Sequence, residues 1–232
     1  KKSPFLITLL MLGCITFSGC ISENSNSSMI DLSVHFHQTN GTIIETYSDG
    51  DLSSIENIEL SFDFSKTTSD GNIISYGINT NDGRQPITVD AGSKSNISIE
   101  FTEHGFYHLD AYAVDSRDNI ENMSIFIRID FRIDWVESNT NDPQPLPINP
   151  IPDNNGTHPY MIEVSSMVEN PSLIDEFGGG GQTVEFTWKM FDEANDVCLS
   201  KSTQIEDGES DDWYVIHFNT YETHDLRIEY DD

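Results

Sequence analysis

The side chains in this sequence that could do chemistry are few and widely separated. Cys198 stands in a polar stretch that carries no local protease signature. His35 and His37 lie two residues apart on one face of a predicted strand, a spacing that could suit a transition metal, but no third ligand follows nearby. We interpret Cys198 as a small core residue and the two histidines as exposed strand residues.

Motifs of catalytic sites are absent from the sequence. It contains no Gly-x-Ser-x-Gly elbow, no His-Glu-x-x-His pair and no paired-cysteine metal spacing. Carboxylates are so abundant that a pair of them says nothing about glycoside hydrolysis. The sequence therefore predicts a protein that is not an enzyme.

The charge of the chain limits its partners. Asp and Glu number 40 against 11 Lys and Arg, which gives a net charge of −29. A surface of this sign repels nucleic acids and anionic membrane faces, so neither DNA nor RNA is a predicted partner. The apolar content of 36% excludes disorder throughout, and the length suits about two small domains.

A change of composition at Cys20 marks the N-terminal region. Lys1 and Lys2 precede an apolar run over 4–17, and a Ser/Asn-rich stretch follows the cysteine. The apolar run is shorter than the roughly 20 residues of a membrane span. A basic start, a short apolar core and small residues before a polar stretch are typical of a secretory signal peptide.

The four residues 17–20, Phe-Ser-Gly-Cys, resemble the lipobox of prokaryotic lipoproteins, with Phe17 in place of the usual leucine. The resemblance implies a signal peptide over 1–19, then a lipidated Cys20 and a flexible tether that together occupy 20–28. The alternatives are an uncleaved amphiphilic anchor and an ordinary cleavage site. Both would still export the protein.

Apolar and polar residues alternate through the first half of the chain. The clearest case is 123–133, where Met, Ile and Phe occupy every second position. This period of two predicts strands with one buried face, and no helical pattern competes with it. Turn clusters separate several such segments over about 100 residues, which predicts an antiparallel β-sandwich.

Within this region the segment 62–83, FDFSKTTSDGNIISYGINTNDG, resembles the PKD domain, an immunoglobulin-like sandwich of surface and secreted proteins. The family's Trp-Asp-Phe-Gly is replaced over 78–81, so Ile78 must fill part of the volume of a missing core tryptophan. The resemblance covers 29–135 and implies a spacer or interaction module. The matching positions are Asp63, Ser65, Asp70, Gly71, Tyr76, Asp82, Gly83, Gly105, Tyr107, Leu109, Ala111, Ala113 and Asp115.

Two further segments follow the first module. Prolines, Asn and Asp over 136–159 predict an extended, semi-rigid linker. Alternation resumes over 160–232 and predicts a second small β-sandwich-like module. Residues 221–232 echo 101–115 of the first module, and on that echo we expect the second module to be incomplete.

The PKD resemblance also implies a calcium site, because some PKD domains hold Ca²⁺ in a loop at one end of the sandwich. The matching residues here are Asp70, in a Ser-Asp-Gly turn, with Asp115 and Asp118 after the late strand. Calcium takes six to eight oxygen ligands, which acidic turns supply readily. Asp-Gly-Asn is equally a good turn without a metal, so both interpretations stay open.

Five sequons suit an exported protein. Each Asn precedes any residue but proline and then Ser or Thr, although a chain rich in these residues produces some sequons by chance. The candidate glycosylation sites are Asn26, Asn40, Asn96, Asn122 and Asn155.

Together these features predict a cell-surface lipoprotein, attached to a membrane by its lipid, whose β-modules bind an extracellular protein or polysaccharide. Adhesion and envelope structure are roles of the same class. Calcium is the one cofactor that the sequence suggests. The alternative is an accessory binding or spacer region of a larger secreted hydrolase whose catalytic domain lies outside this chain.

The lipid anchor can be tested by one substitution. We expect Cys20→Ser to release the chain from membranes or to leave it unprocessed, because the lipid would have no sulfur to which it can be attached. Membrane fractionation and the mass of the mature protein measure this. Fractionation and mass identical to those of the parent protein would contradict the lipobox prediction.

Overall fold

A computed structural model describes residues 30–154, 156–172 and 181–231, and its regular elements are strands, which confirms the all-β prediction. The predicted signal peptide over 1–19, the tether over 20–28 with Cys20 and Asn26, and the sequon residue Asn155 lie outside the described residues. Within the described part, no helix has the length and apolar character needed to cross a membrane.

The first module contains eleven strands. They are β1 (Ile30–Asp31), β2 (His35–Phe36), β3 (Asn40–Ser48), β4 (Asp51–Glu56), β5 (Ile58–Asp63), β6 (Thr68–Ser69), β7 (Ile73–Asn79), β8 (Ile87–Asp90), β9 (Asn96–Phe101), β10 (Gly105–Asp115) and β11 (Ile120–Val136).

These strands form the two layers of a sandwich. One sheet has the order β4-β3-β11-β10-β7-β8 and the other the order β2-β5-β9, while β1 and β6 form a short separate pair. The predicted immunoglobulin-like sandwich is confirmed in this arrangement. One pair departs from the antiparallel expectation: β3 runs parallel to β11. The chain leaves the smaller sheet after β2 and enters the larger one beside β11, so β3 runs in the same direction as that strand.

The core lies between the two sheets. Phe62, Phe101, Leu109 and Ile127 are fully buried there, as the alternation predicts. Ile78 is also fully buried, in the position where the PKD resemblance places a tryptophan. The first module therefore builds its core around phenylalanine and isoleucine side chains.

Tyr107 fixes the connection between β9 and β10. Its hydroxyl donates a hydrogen bond to the carbonyl oxygen of Glu103 at 2.7 Å. Burial raises the pKa of Tyr107 to about 12, so the phenol stays protonated and remains a donor. A tyrosine that bonds back to the preceding loop is the corner feature of immunoglobulin-like sandwiches.

The predicted linker contacts both modules. β12 (Leu146–Ile148) lies inside it and pairs antiparallel with β17 (His224–Asp231) of the second module. Pro150 accepts a hydrogen bond at 3.2 Å from Nε2 of His104 in the first module. The segment is therefore hydrogen-bonded to the first module on one side and to the second module on the other.

The second module packs two smaller sheets. Its strands are β13 (Ile162–Glu169), β14 (Val184–Phe191), β15 (Val197–Ile205), β16 (Ser210–His217) and β17. One sheet has the order β12-β17-β14-β15, and the other pairs β13 with β16. Trp188 is fully buried between them and donates its indole N–H to Ser166 Oγ at 2.9 Å, so its polar atom is satisfied inside the core.

The contact between Gly77 and Tyr112 yields a test of the fold. The two residues face each other on β7 and β10, and a Cβ on Gly77 would collide with the tyrosine ring. We expect Gly77→Ala to destabilise the protein, because the tyrosine ring must move away from the new methyl group. The loss should be about 1 kcal/mol, which is the upper end of what a cross-strand side-chain contact contributes. In a Tyr112→Ala background the same change should be neutral or stabilising, since alanine loses less backbone entropy than glycine.

Denaturant unfolding of the four proteins of this double-mutant cycle measures the coupling. If Gly77→Ala changed the free energy of unfolding equally in both backgrounds, the packing of the Tyr112 ring over Gly77 would not be the cause of the destabilisation.

Candidate functional site

The outward face of the larger sheet carries an unusual set of side chains. On β11, Ile125, Ile127 and Ile129 are buried, so the residues between them point to the opposite side. The pairing with β10 places His108 opposite Phe126 on this outward side. Strand alternation therefore presents aromatic rings to solvent in the middle of the sheet.

Four aromatic residues, Phe106, His108, Phe126 and Tyr160, form one cluster, which we call the aromatic platform. The Phe106 and Phe126 rings are stacked with centroids 5.5 Å apart, and His108 meets Phe126 edge-on at 5.1 Å. Tyr160, at the start of the second module, lies 6.0 Å from Phe106. The platform thus combines side chains from both modules.

The platform is open to solvent. Phe126 is 51% exposed and Tyr160 is 77% exposed, although burial is the normal state of such rings. Single exposed apolar residues need no explanation, whereas a contiguous group of them is a candidate binding surface. Exposed aromatic rings on a sheet face can stack against the apolar C–H faces of sugar rings, because the ring face is the negative side of the aromatic quadrupole.

Polar groups border the platform. Arg128 forms a two-point ion pair with Asp130, with N–O distances of 2.9 and 2.7 Å. Asp110 accepts hydrogen bonds from Ser124 at 3.0 Å and from Asn81 at 2.8 Å. These donors and acceptors are partly exposed, so they can also bond to hydroxyl groups of a ligand that lies across the rings.

Electrostatics on this face favours an uncharged ligand. Arg128 is the cation beside the rings, and its hydrogen bond to Asp130 raises the pKa of the guanidinium. Because Asp130 already neutralises this charge and the chain carries a net charge of −29, an anionic ligand would meet repulsion.

The residues of the predicted calcium site occupy one turn region. Asp115 is 1% exposed, and its carboxylate accepts hydrogen bonds from the Arg117 and Asn119 backbone N–H groups at 2.9 and 3.0 Å. The Asn119 side-chain amide and the Ser69 hydroxyl donate to its other oxygen. The amide of Asn119 is the main cause that lowers the pKa of the Asp115 carboxyl, and it outweighs burial. The carboxylate therefore organises this turn through its hydrogen bonds.

Asp70 and Asp118 have different surroundings from Asp115. The carbonyl oxygen of Asp70 accepts a hydrogen bond from Arg117 at 3.3 Å, and Asp118 is exposed with a φ of 62°. The three aspartates do not form a convergent ligand cluster among the described residues. Calcium binding by Asp70, Asp115 and Asp118 stays a prediction.

The other candidate residues are at the surface. Asn40, Asn96 and Asn122 are exposed, each within a strand, and their glycosylation stays a prediction. His35 and His37 are exposed, which agrees with the interpretation made from the sequence. Cys198 differs from its interpretation as an ordinary core residue, because it is half-buried and lies beside His217 and His224.

A small cavity of about 150 Å³ lies between the first module and the linker residues Asp153 and Asn154. The ion pair of Arg84 with Asp82 at 2.7 Å occupies one wall. Burial and the neighbouring Asp153 raise the pKa of Glu103 on another wall. The cavity is far smaller than typical ligand pockets, so the open aromatic platform is the better candidate for a binding site.

Comparisons with known proteins concern the fold. No protein-family model and no curated protein sequence matches the chain. Among solved structures, the chain is similar to the PKD1 domain of Vibrio anguillarum Epp, with 13% identity, a TM-score of 0.30 and coverage of 44% of this chain and 94% of that domain.

Two further similarities span both modules. Carbohydrate-binding modules of the β-sandwich superfamily match with 10% identity and a TM-score of 0.36, over 87% of this chain and 90% of theirs. The fibronectin(III)-like modules of Clostridium thermocellum CbhA match with 10% identity and a TM-score of 0.29, over 85% and 93%. At these values the similarity is one of β-sandwich fold and does not extend to function.

The Asp115 turn predicts a pH-dependent stability. Because the folded pKa is depressed, the ionised carboxylate stabilises the native state above its unfolded pKa of about 3.9, and this contribution is lost as the pH falls through the folded value. We expect Asp115→Asn to lower the Tm by several degrees at pH 7 and to differ less from the parent protein in acid. Thermal unfolding measured from neutral pH down to pH 3 tests this.

Asp118→Asn is the matched control. It makes the same chemical change at an exposed position with positive φ, which asparagine tolerates well. Equal loss of stability in the two variants, or a difference for Asp115→Asn that does not depend on pH, would contradict this role of the buried carboxylate.

Proposed function

We propose that this chain is a non-catalytic binding protein of the cell surface that holds a neutral polysaccharide on its aromatic platform. The observation that carries the proposal is the contiguous cluster of a half-buried Phe106 with Phe126 and Tyr160, whose rings are 51% and 77% exposed. Rings arranged in this way offer a long apolar track, and an extended polymer can contact several of them at once.

The charge of the chain supports a neutral polymer over an anionic one. A net charge of −29 repels polyuronates, sulfated glycans and nucleic acids over distances of about 8 Å at physiological salt. Hydroxyl groups of a neutral sugar can bond to the partly exposed Asp110 and Arg128 without this penalty.

The proposal includes export and a lipid anchor on Cys20. The sequence from Lys1 to Cys20 supports both export and the anchor, since a basic start, an apolar core and a Ser-Gly-Cys junction are features of lipoprotein signals. A polymer-binding module held at a membrane surface by a tether would serve adhesion or capture of material at the cell envelope.

Substitution of the platform rings tests the binding function. We expect the parent protein to bind at least one of a panel of neutral polysaccharides (cellulose, xylan, mannan, chitin and β-1,3-glucan) in pull-down and calorimetric titration. Phe126→Ala and Tyr160→Ala should each weaken that binding by about 10-fold or more, because each removes one stacking surface.

Tyr214→Ala is the matched control, since Tyr214 is 57% exposed on the second module and has no ring contact with the platform. We expect it to bind as the parent protein does. Failure to bind any member of the panel, or equal loss of affinity in all three variants, would contradict the proposed function.

A further inference from the structure

Three side chains with metal-ligating atoms converge in the second module. Cys198 lies near the start of β15, His217 ends β16 and His224 begins β17. One ligand atom from each lies within 4.8 Å of the other two. Among the described residues, no other group of three or more His, Cys, Asp or Glu side chains converges in this way.

The hydrogen bond of His224 fixes which of its nitrogens can bind a metal. His224 is 2% exposed, and its Nε2 lies 2.9 Å from the carbonyl oxygen of Asn219. A carbonyl oxygen can only accept, so Nε2 carries the proton and Nδ1 presents a lone pair. Metal-bound histidines are commonly held by such a bond from the other ring nitrogen to a backbone carbonyl.

Two buried nitrogens of the cluster lack partners. Nδ1 of His224 and Nε2 of His217 have no hydrogen-bond partner within the described part of the chain. The two rings meet edge-on with centroids 4.8 Å apart. Buried polar atoms without a partner are uncommon in native proteins, and an ion that accepts their lone pairs is one explanation. The edge-on packing of the two histidine rings explains their burial, but it does not explain why two unpartnered nitrogens lie beside the Cys198 thiol.

The surroundings of Cys198 favour a cation. The carboxylates of Asp192, Glu222 and Asp196 lie close enough to act on its thiol electrostatically. Glu222 acts on His217 as well. A cation bound between the thiol and the rings would therefore sit in a negative potential.

We propose that Cys198, His217 and His224 bind a transition-metal ion, and that Zn²⁺ is the ion they fit best. One thiolate and two imidazoles are ligands for ions of borderline to soft character, and three protein ligands leave a fourth tetrahedral position for water. The thiol releases its proton when the metal binds. The observations behind this site do not depend on the polysaccharide function proposed above.

The site would join three strands at one end of the second module. The loop over 218–223 connects the two histidines, and its Thr220 donates a hydrogen bond to the carbonyl of Pro159 at 2.8 Å. The carbonyl of Thr220 in turn accepts from His158 Nδ1 at 2.8 Å. An ion bound to the histidines would therefore stabilise the contact of this loop with the end of the linker.

Titration of the full chain with Co²⁺ and Zn²⁺ tests the site. Excess Mg²⁺ is present throughout, so that it saturates weak cation binding by the surface carboxylates. With Co²⁺ we expect a near-ultraviolet thiolate-to-cobalt charge-transfer band at one ion per chain, which Zn²⁺ abolishes by displacement. Cys198→Ser should remove the band, and His224→Gln should weaken Zn²⁺ binding. Loss of a residue that only hydrogen-bonds to a metal ligand weakens metal binding by about 10–100-fold, so loss of the ligand His224 itself should weaken Zn²⁺ binding by more than that.

Two controls separate ligation from folding and from other metal-binding groups. His35→Gln combined with His37→Gln should leave the band and the affinity unchanged, since both residues are exposed on the first module. Circular dichroism of each metal-free variant verifies that it folds; should His224→Gln fail to fold, His217→Gln takes its place. Absence of a charge-transfer band in the parent protein, or a band that survives Cys198→Ser, would overturn the proposal.

Discussion

The extended segment between the modules is the constraint on which the proposed binding face depends. The carbonyl of Pro150 accepts a hydrogen bond from His104 of the first module, and the Asn154 side-chain amide donates one to the carbonyl of Phe106 at 3.4 Å. Further along, β12 joins the sheet of the second module, and Pro159 is bonded to Thr220. A proline-rich segment loses little conformational entropy on such fixation, because its unfolded form is already restricted. The consequence is that Tyr160 lies over the outward face of the first module and completes a platform that neither module has alone.

This geometry links the two sites. The loop that carries Thr220 separates His217 from His224, and the same loop holds the residues immediately before Tyr160. Order at the cysteine–histidine cluster and order at the platform are therefore connected through a few hydrogen bonds. The predicted glycosylation of Asn40 would conflict with the proposed binding face, because Asn40 pairs with Arg128 in the strand register. A glycan on Asn40 would stand beside Arg128 and hinder a polymer on the rings.

The parts of this structure that the sequence predicts are those that depend on local alternation. The buried faces of β11 and β14 follow from every second residue being apolar, and Ile78 is in the core as the missing tryptophan requires. The parallel pairing of β3 with β11 was not predicted, because the direction of a neighbouring strand depends on where the chain changes sheets. The platform was missed for a related reason: Tyr160 and Phe106 are distant in sequence, and no local pattern signals their contact. Cys198, His217 and His224 come from three strands, so their convergence leaves no fixed spacing to find.

The central claim is that a neutral polymer lies across the outward face of the first module, in contact with rings from both modules. Intermolecular nuclear Overhauser effects between a bound neutral oligosaccharide and the aromatic protons of the protein test it most directly. We expect contacts from sugar protons to the rings of Phe106, Phe126 and Tyr160, and none to Tyr214. Contacts confined to exposed rings elsewhere, such as Tyr214 or Phe218, would contradict it, as would a bound sugar that touches no aromatic ring.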